Sequence, residues 1–142
     1  MHGIATDAVN RARAYIRNEA RKTPGTQPPG AFRLAELVAE LHAMRGFVHG
    51  ATRDYQEIMD DPEQLAGMAF ALRMNNLKIS ASQKMVEIIQ RALMICGITG
   101  YRNDTKFSLG RHLRDALSAP LMVANDRIYG SNAAMLLVTK DD

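Results

Sequence analysis

The sequence has little of what several classes of protein require. Its single cysteine, Cys96, cannot form an internal disulfide, and its apolar surroundings predict a buried thiol in a reducing compartment. There is no tryptophan, and aromatic residues make up only 6% of the chain, which leaves no platform for base stacking. No run of about 18 apolar residues occurs, and the N-terminus lacks a signal-peptide core. We therefore expect a cytoplasmic protein that binds neither nucleic acid nor membrane.

Motifs for metal and phosphate chemistry are also missing. A di-iron helical bundle needs Glu-x-x-His on two helices, and that motif does not occur. No cysteine and histidine residues have zinc-ligand spacing, and there is no Gly-x-x-x-x-Gly-Lys loop. The net charge of +3 is modest, and hydrophobic residues make up an ordinary 46%. We predict no metal site, and a length of 142 residues suits one domain over residues 1–142.

Apolar residues recur at three- and four-residue steps through most of the chain, as amphipathic helices require. Nothing alternates convincingly as a strand. The predicted fold is therefore all-α, an up-and-down bundle of about four long helices. Pro120 should end or kink one helix near residues 116–120, and Asn125 should cap the next. The expected helices cover residues 4–22, 32–59 and 62–96, with two more beginning near 108 and 125.

The third helix should be the longest. Asp61 and Pro62 form a strong start signal, because Asp61 can cap and proline suits the first helical position. With no evident break before Cys96, the helix should be a rod of about 50 Å. Polar residues fill several sides of its middle, between Asn75 and Lys84. The pattern fits either a solvated surface or a contact with another domain, and the sequence does not decide between them.

Two motifs follow one another near the end of this helix and beyond it. The first, ALMICGITGY, contains Gly97 and Gly100, which local pattern alone interprets as helix-capping glycines. The second is RHLRDA, with Arg114-Asp115-Ala116. Together they resemble the C-terminal helical domain of acyl-CoA dehydrogenases, where a Gly-Gly-x-Gly-aromatic turn and an Arg-Asp-Ala triplet recur at similar spacing. Nearly the whole chain follows the resemblance, including Leu34-Ala35-Glu36 and the segment Arg21-Lys22-Thr23-Pro24-Gly25.

This resemblance implies a flavin cofactor. In such enzymes FAD lies at a dimer interface, and a loop arginine reaches the pyrophosphate of the flavin held mainly by the neighbouring subunit. That role falls to Arg21, and the turn from Gly97 to Gly100 would approach the same dinucleotide. The resemblance further implies self-association as a dimer or tetramer, and an acyl thioester as the substrate of the full-length protein.

Some positions depart from the family's pattern. Counted from Arg114-Asp115-Ala116, the segment Val123-Ala124-Asn125 aligns with the family's Glu-Gly-Thr. Asn125 can still offer hydrogen bonds near the flavin, but Val123 stands at the glutamate position and has no lone pair to accept a proton. Asp126 is close, yet its place at a helix start favours backbone capping. Met94 replaces a glutamine that often contacts FAD. We therefore assign no catalytic residue to this chain.

Three hypotheses of function follow. The leading one is the FAD-binding and oligomerisation domain of an acyl-CoA dehydrogenase-like oxidoreductase, forming the C-terminal part of a larger flavoenzyme and inactive when isolated. The second is a non-catalytic scaffold or pairing subunit that has the same fold but no catalytic activity. Val123 and Met94 favour this hypothesis. The third is an unrelated basic helical adaptor.

Overall fold

The computed structural model describes residues 2–139, and in that range all regular structure is helical. The all-α fold is confirmed. In chain order the helices are α1 (His2–Lys22), α2 (Ala31–Ile58), α3 (Pro62–Leu65), α4 (Met68–Tyr101), α5 (Gly110–Ser118) and α6 (Asn125–Leu136).

The core lies where α1, α2 and α4 meet. On α4 the predicted apolar face is buried, and Met85, Ile88 and Ile89 are almost fully covered. The facing side of α1 is built mostly of alanines, which let the α4 backbone approach closely. Further members of the core are, on α1, Ala5, Ala8, Val9, Ala12 and Ile16; on α2, Leu37, Leu41 and Met44; on α4, Ala92, Ile95 and Cys96.

Polar contacts between the long helices show in which direction each one runs. Arg45 of α2 donates to His2 at the start of α1, with 2.9 Å between Nε and Nε2. Gly30, just before α2, lies beside Ile16 near the other end of α1. Lys84 of α4 pairs with Glu40 of α2 at 2.8 Å, and Arg73 pairs with Asp54 at 3.5 Å. Each successive long helix is therefore antiparallel to the one before it.

The expected unbroken rod from residue 62 is wrong. Asp61 does cap as predicted, because its carboxylate accepts from the backbone N–H groups of Glu63 and Gln64 at 3.1 Å. However, that helix ends at Leu65, and α4 begins only after Gly67, whose backbone is extended. Glycine is a poor helix former, and a Cβ at Gly67 would lie 3.0 Å from the Gln64 carbonyl oxygen.

The polar middle of α4 contacts α6. Asn75 and Asn76 both bond to the amide of Asn132, at 2.8 and 2.9 Å. Gln83 donates to the Tyr129 hydroxyl at 3.1 Å. These residues therefore bond within the chain, Asn76 and Gln83 are also exposed to solvent, and a contact with another domain stays a prediction.

Two expected helix starts also differ from the structure. Helix α5 begins at Gly110 rather than at Ser108, although it ends at Ser118 within the predicted window. Asn125 does not cap α6, whose N-cap residue is Ala124. The Asn125 side chain is 8% exposed and bonds to α4 instead, because Ser82 offers it a buried partner.

Gly97 breaks α4 without ending it. Its φ of +57° and ψ of −143° lie in a region that is essentially restricted to glycine, and the helix resumes until Tyr101. This conformation explains why the position is glycine, whereas the predicted helix end is wrong. Gly100 has another reason to be glycine, since a Cβ there would lie 2.5 Å from the Cys96 Cβ.

We expect Gly97→Ala to destabilise the chain by about 1–3 kcal/mol, because alanine is strained at this backbone conformation. Gly46→Ala is the matched control. Gly46 lies inside α2 with open space around it, so alanine there should stabilise by about 0.5–1 kcal/mol. Urea unfolding measures both, and equal effects of the two substitutions would contradict the role given to Gly97.

Candidate cofactor-binding site

Arg21 lies in the last turn of α1, at the rim of a basic groove. We call this the arginine groove; it has a volume of about 540 Å³ and runs between α1 and the connection from α4 to α5. None of its lining residues is acidic. They are Asn10, Arg11, Arg13, Ala14, Arg17, Asn18, Arg21, Lys106 and Phe107.

Three arginines of this groove share one side of α1. Arg13, Arg17 and Arg21 are four residues apart, so they lie one above the other on the helix surface. Within residues 2–139 none of the three forms an ion pair with a carboxylate. Like charges at this spacing destabilise a helix unless an anion neutralises them. The groove is therefore suited to phosphate groups, which arginine binds through paired hydrogen bonds.

The connection from α4 to α5 is held against α1, next to these cations, by a hydrogen bond and an aromatic contact. Arg11 donates from a terminal guanidinium nitrogen to the Ser108 carbonyl oxygen at 2.9 Å. The Phe107 ring packs edge-on against Tyr15, with 5.5 Å between ring centroids. The Lys106 ammonium lies 5.1 Å from the centroid of the Phe107 ring, a cation–π contact. Lys106 is thereby kept at the groove.

The glycine turn lies at the same end of the bundle as Arg21. A Cβ on Gly30, in the loop that follows α1, would contact both Ile16 and Ile95, two residues before Gly97. The Gly100 carbonyl oxygen accepts from the backbone N–H of Leu109 at 2.7 Å, which turns the chain back along α1. Gly97 itself has open space where a side chain would be.

Asn125 lies elsewhere. Its amide nitrogen donates to the Ser82 hydroxyl at 3.1 Å, and its oxygen accepts from Lys78. Ser82 precedes Gly97 by 15 residues on α4, so about 22 Å of helix separates the two sites. Of the predicted cofactor residues, Arg21, Gly97 and Gly100 thus lie toward one end of the bundle, and Asn125 lies apart from them. A flavin contact from Asn125 stays a prediction.

Val123 occupies an exposed and strained position. Its φ is +54°, which is uncommon for any side chain and an outlier for a β-branched one, and its side chain is 70% exposed. The Lys78 ammonium donates to the Val123 carbonyl oxygen at 3.2 Å. Asp126 lies in the first turn of α6 and is exposed. The valine side chain has no group that could accept a proton, and the alignment of this position with the family's glutamate stays a prediction.

A cluster of side chains that no sequence pattern predicts joins α1 to α5. Asp7 accepts from Arg11 at 2.9 Å and lies 2.6 Å from His112 Nε2, whose other ring nitrogen is buried without a partner among the described residues. Burial alone would raise the pKa of Asp7, but the hydrogen bonds from His112 and Arg11 outweigh it, so the pKa lies below its ordinary value.

A lowered carboxyl pKa means that Asp7 contributes stability above its unfolded pKa, near 4, and that this contribution is lost as pH falls through the folded pKa. We expect Asp7→Asn to lower the free energy of unfolding at pH 7 and to flatten its decline below about pH 4. Asp60→Asn, at an exposed position, is the control. Urea unfolding at several pH values measures both; an unchanged decline in Asp7→Asn would contradict this role.

Among residues 2–139, no three His, Cys, Asp or Glu side chains come together as a metal would require. No helix of this range combines the length and hydrophobicity needed to cross a bilayer.

Fold and groove together define an all-α domain with a cationic surface suited to phosphate groups. The family model described as "Acyl-CoA dehydrogenase, C-terminal domain" matches residues 1–128. The chain therefore belongs to this family and is a domain of an acyl-CoA dehydrogenase-like protein. No curated protein and no solved structure matches it significantly.

Proposed function

We propose that this chain is the FAD-binding and oligomerisation domain of an oxidoreductase that removes hydrogen from the α and β carbons of an acyl thioester. The observation that carries the proposal is the arginine groove in a member of this family. Arg21, which the resemblance selects for the flavin pyrophosphate, lies there with Arg13, Arg17 and Lys106, none of which has a carboxylate partner among the described residues. FAD would supply the acceptor for the hydride.

The chain's own residues suit binding better than proton transfer. Arg21 would hold the diphosphate, and the backbone between Gly97 and Gly100 would approach the same dinucleotide because neither glycine carries a side chain. Asn125 would lie near a flavin ring. No acid or base stands at position 123, so the domain would act together with the others of a larger flavoenzyme, which would provide the base.

We expect Arg21→Ala, in the complete product of the gene, to weaken FAD binding roughly ten- to hundredfold, because a charge-assisted phosphate contact is lost. Arg127→Ala removes an exposed arginine outside the groove and should leave binding unchanged. Flavin released on dialysis, followed by absorbance, measures both. Equal retention in Arg21→Ala and the unmutated protein would exclude Arg21 from the site. A protein whose flavin no acyl-CoA reduces would instead favour the non-catalytic scaffold.

Self-association forms the second part of the proposal. Met94, Ile98 and Tyr101, which we call the apolar stripe, follow one another along the last turns of α4 on either side of the break at Gly97, and each is about 70% exposed. An exposed apolar stripe on a helix usually marks an interface. A second copy of the chain would cover this stripe in a dimer or tetramer.

We expect light scattering to show the unmutated chain as a dimer or larger at tens of micromolar. Ile98→Glu should give monomers, because a carboxylate would be buried without a partner. Phe47→Glu is the control, since Phe47 is an exposed apolar residue of α2 that lines a separate groove with Leu77. A monomeric unmutated chain, or dissociation by Phe47→Glu alone, would refute the assignment of the stripe.

A further inference from the structure

The arginine groove carries more positive charge than one diphosphate would neutralise. Four of its cations, Arg13, Arg17, Arg21 and Lys106, have no carboxylate partner among the described residues, whereas Arg11 pairs with Asp7. A diphosphate within a dinucleotide carries one negative charge per phosphate. It would leave half of these cations without a counter-charge.

The arginines are also spread farther than a diphosphate reaches. Arg13 and Arg21 are eight residues apart, which is about 12 Å along α1, and Arg17 lies midway between them. Neighbouring phosphates in a polyphosphate are much closer together than that. The flexible arginine side chains can converge on a longer row of phosphates, whereas a single diphosphate would engage only part of the row.

The other wall of the groove is held in position by contacts within the chain. Arg11 bonds the Ser108 carbonyl to α1, and the contact of Phe107 with Tyr15 fixes the ring beneath Lys106. Ordering this wall therefore costs little when an anion enters, and such preorganisation favours affinity.

We propose that the arginine groove binds a ligand with at least three phosphate groups, held by Arg13, Arg17 and Lys106 in addition to Arg21. The phosphates can come from a linear triphosphate or from a diphosphate with a separate phosphomonoester on the same nucleotide. The proposal goes beyond the proposed function, because FAD carries only two phosphates; it concerns the number of phosphates that the groove holds and does not require a flavin.

Calorimetric titration of the 142-residue chain at low ionic strength tests the proposal. We expect tripolyphosphate to bind at least about tenfold more tightly than pyrophosphate, because each additional charge-assisted contact is of that order. Comparison of ATP with adenosine 3′-phosphate 5′-diphosphate, each against ADP, then identifies the arrangement of phosphates. Tighter binding of either one than of ADP supports the proposal, and added salt should weaken it.

Matched variants separate the groove from general electrostatics. Arg17→Gln should remove most of the preference for tripolyphosphate over pyrophosphate, whereas Arg127→Gln, which makes the same change of charge at an exposed position on α6, should retain it. Without ligand, Arg17→Gln should unfold at the same or a higher temperature, since repulsion along α1 is relieved. A lower unfolding temperature would mean that Arg17 serves the fold, and would overturn the proposal.

Equal affinities for pyrophosphate and tripolyphosphate would also overturn it, as would equal losses in the two variants or no saturable binding at millimolar concentrations. The outcome is separable from that of the proposed function. Flavin retention that depends on Arg21 without a preference for three phosphates would reject this inference alone. A preference for three phosphates with flavin retention independent of Arg21 would reject only the flavin contact.

Discussion

The burial of α4 against α1 and α2 is the contact on which the rest of the structure depends. Met85, Ile88 and Ile89 are almost fully covered, and each buried side chain of this size contributes about 1.5–3 kcal/mol. The other two helices of the C-terminal part, α5 and α6, both pack on α4. The end of α4 also sets the position of the groove, because the Gly100 carbonyl oxygen binds Leu109 and turns the following connection back along α1.

The sequence predicted the parts of the fold in which local pattern and tertiary packing agree. The apolar stripes of α1, α2 and α4 are such parts, as is the cap at Asp61. Prediction from the sequence failed where two local signals competed. The Asp61-Pro62 start signal was strong and the single glycine at position 67 was a weak signal against it, so the break there was missed. The role of Asn125 depends on Ser82, 43 residues away, and no local rule could reveal it.

Some residues of the candidate site could be predicted from the sequence and others could not, for similar reasons. Arg21 was selected through the family resemblance, but its neighbours Arg13 and Arg17 already showed the same four-residue spacing in the sequence. Isolated charges on a helix usually indicate a solvated face. These three arginines line a groove only because the connection from α4 to α5 packs beside them. Lys106 lies in a connection without periodicity. Asp7 and His112 are 105 residues apart, so nothing local could pair them.

The strained backbone at Val123 lies beside the contact between α4 and α6. A non-glycine residue with positive φ costs about 1–3 kcal/mol and persists only where its surroundings determine the conformation. Lys78 provides that constraint by donating to the Val123 carbonyl oxygen and to the Asn125 side chain on either side of Ala124. The Val123 side chain does not stabilise this conformation by packing, since most of it is exposed. What α4 holds in place here is therefore the backbone of the connection between α5 and α6.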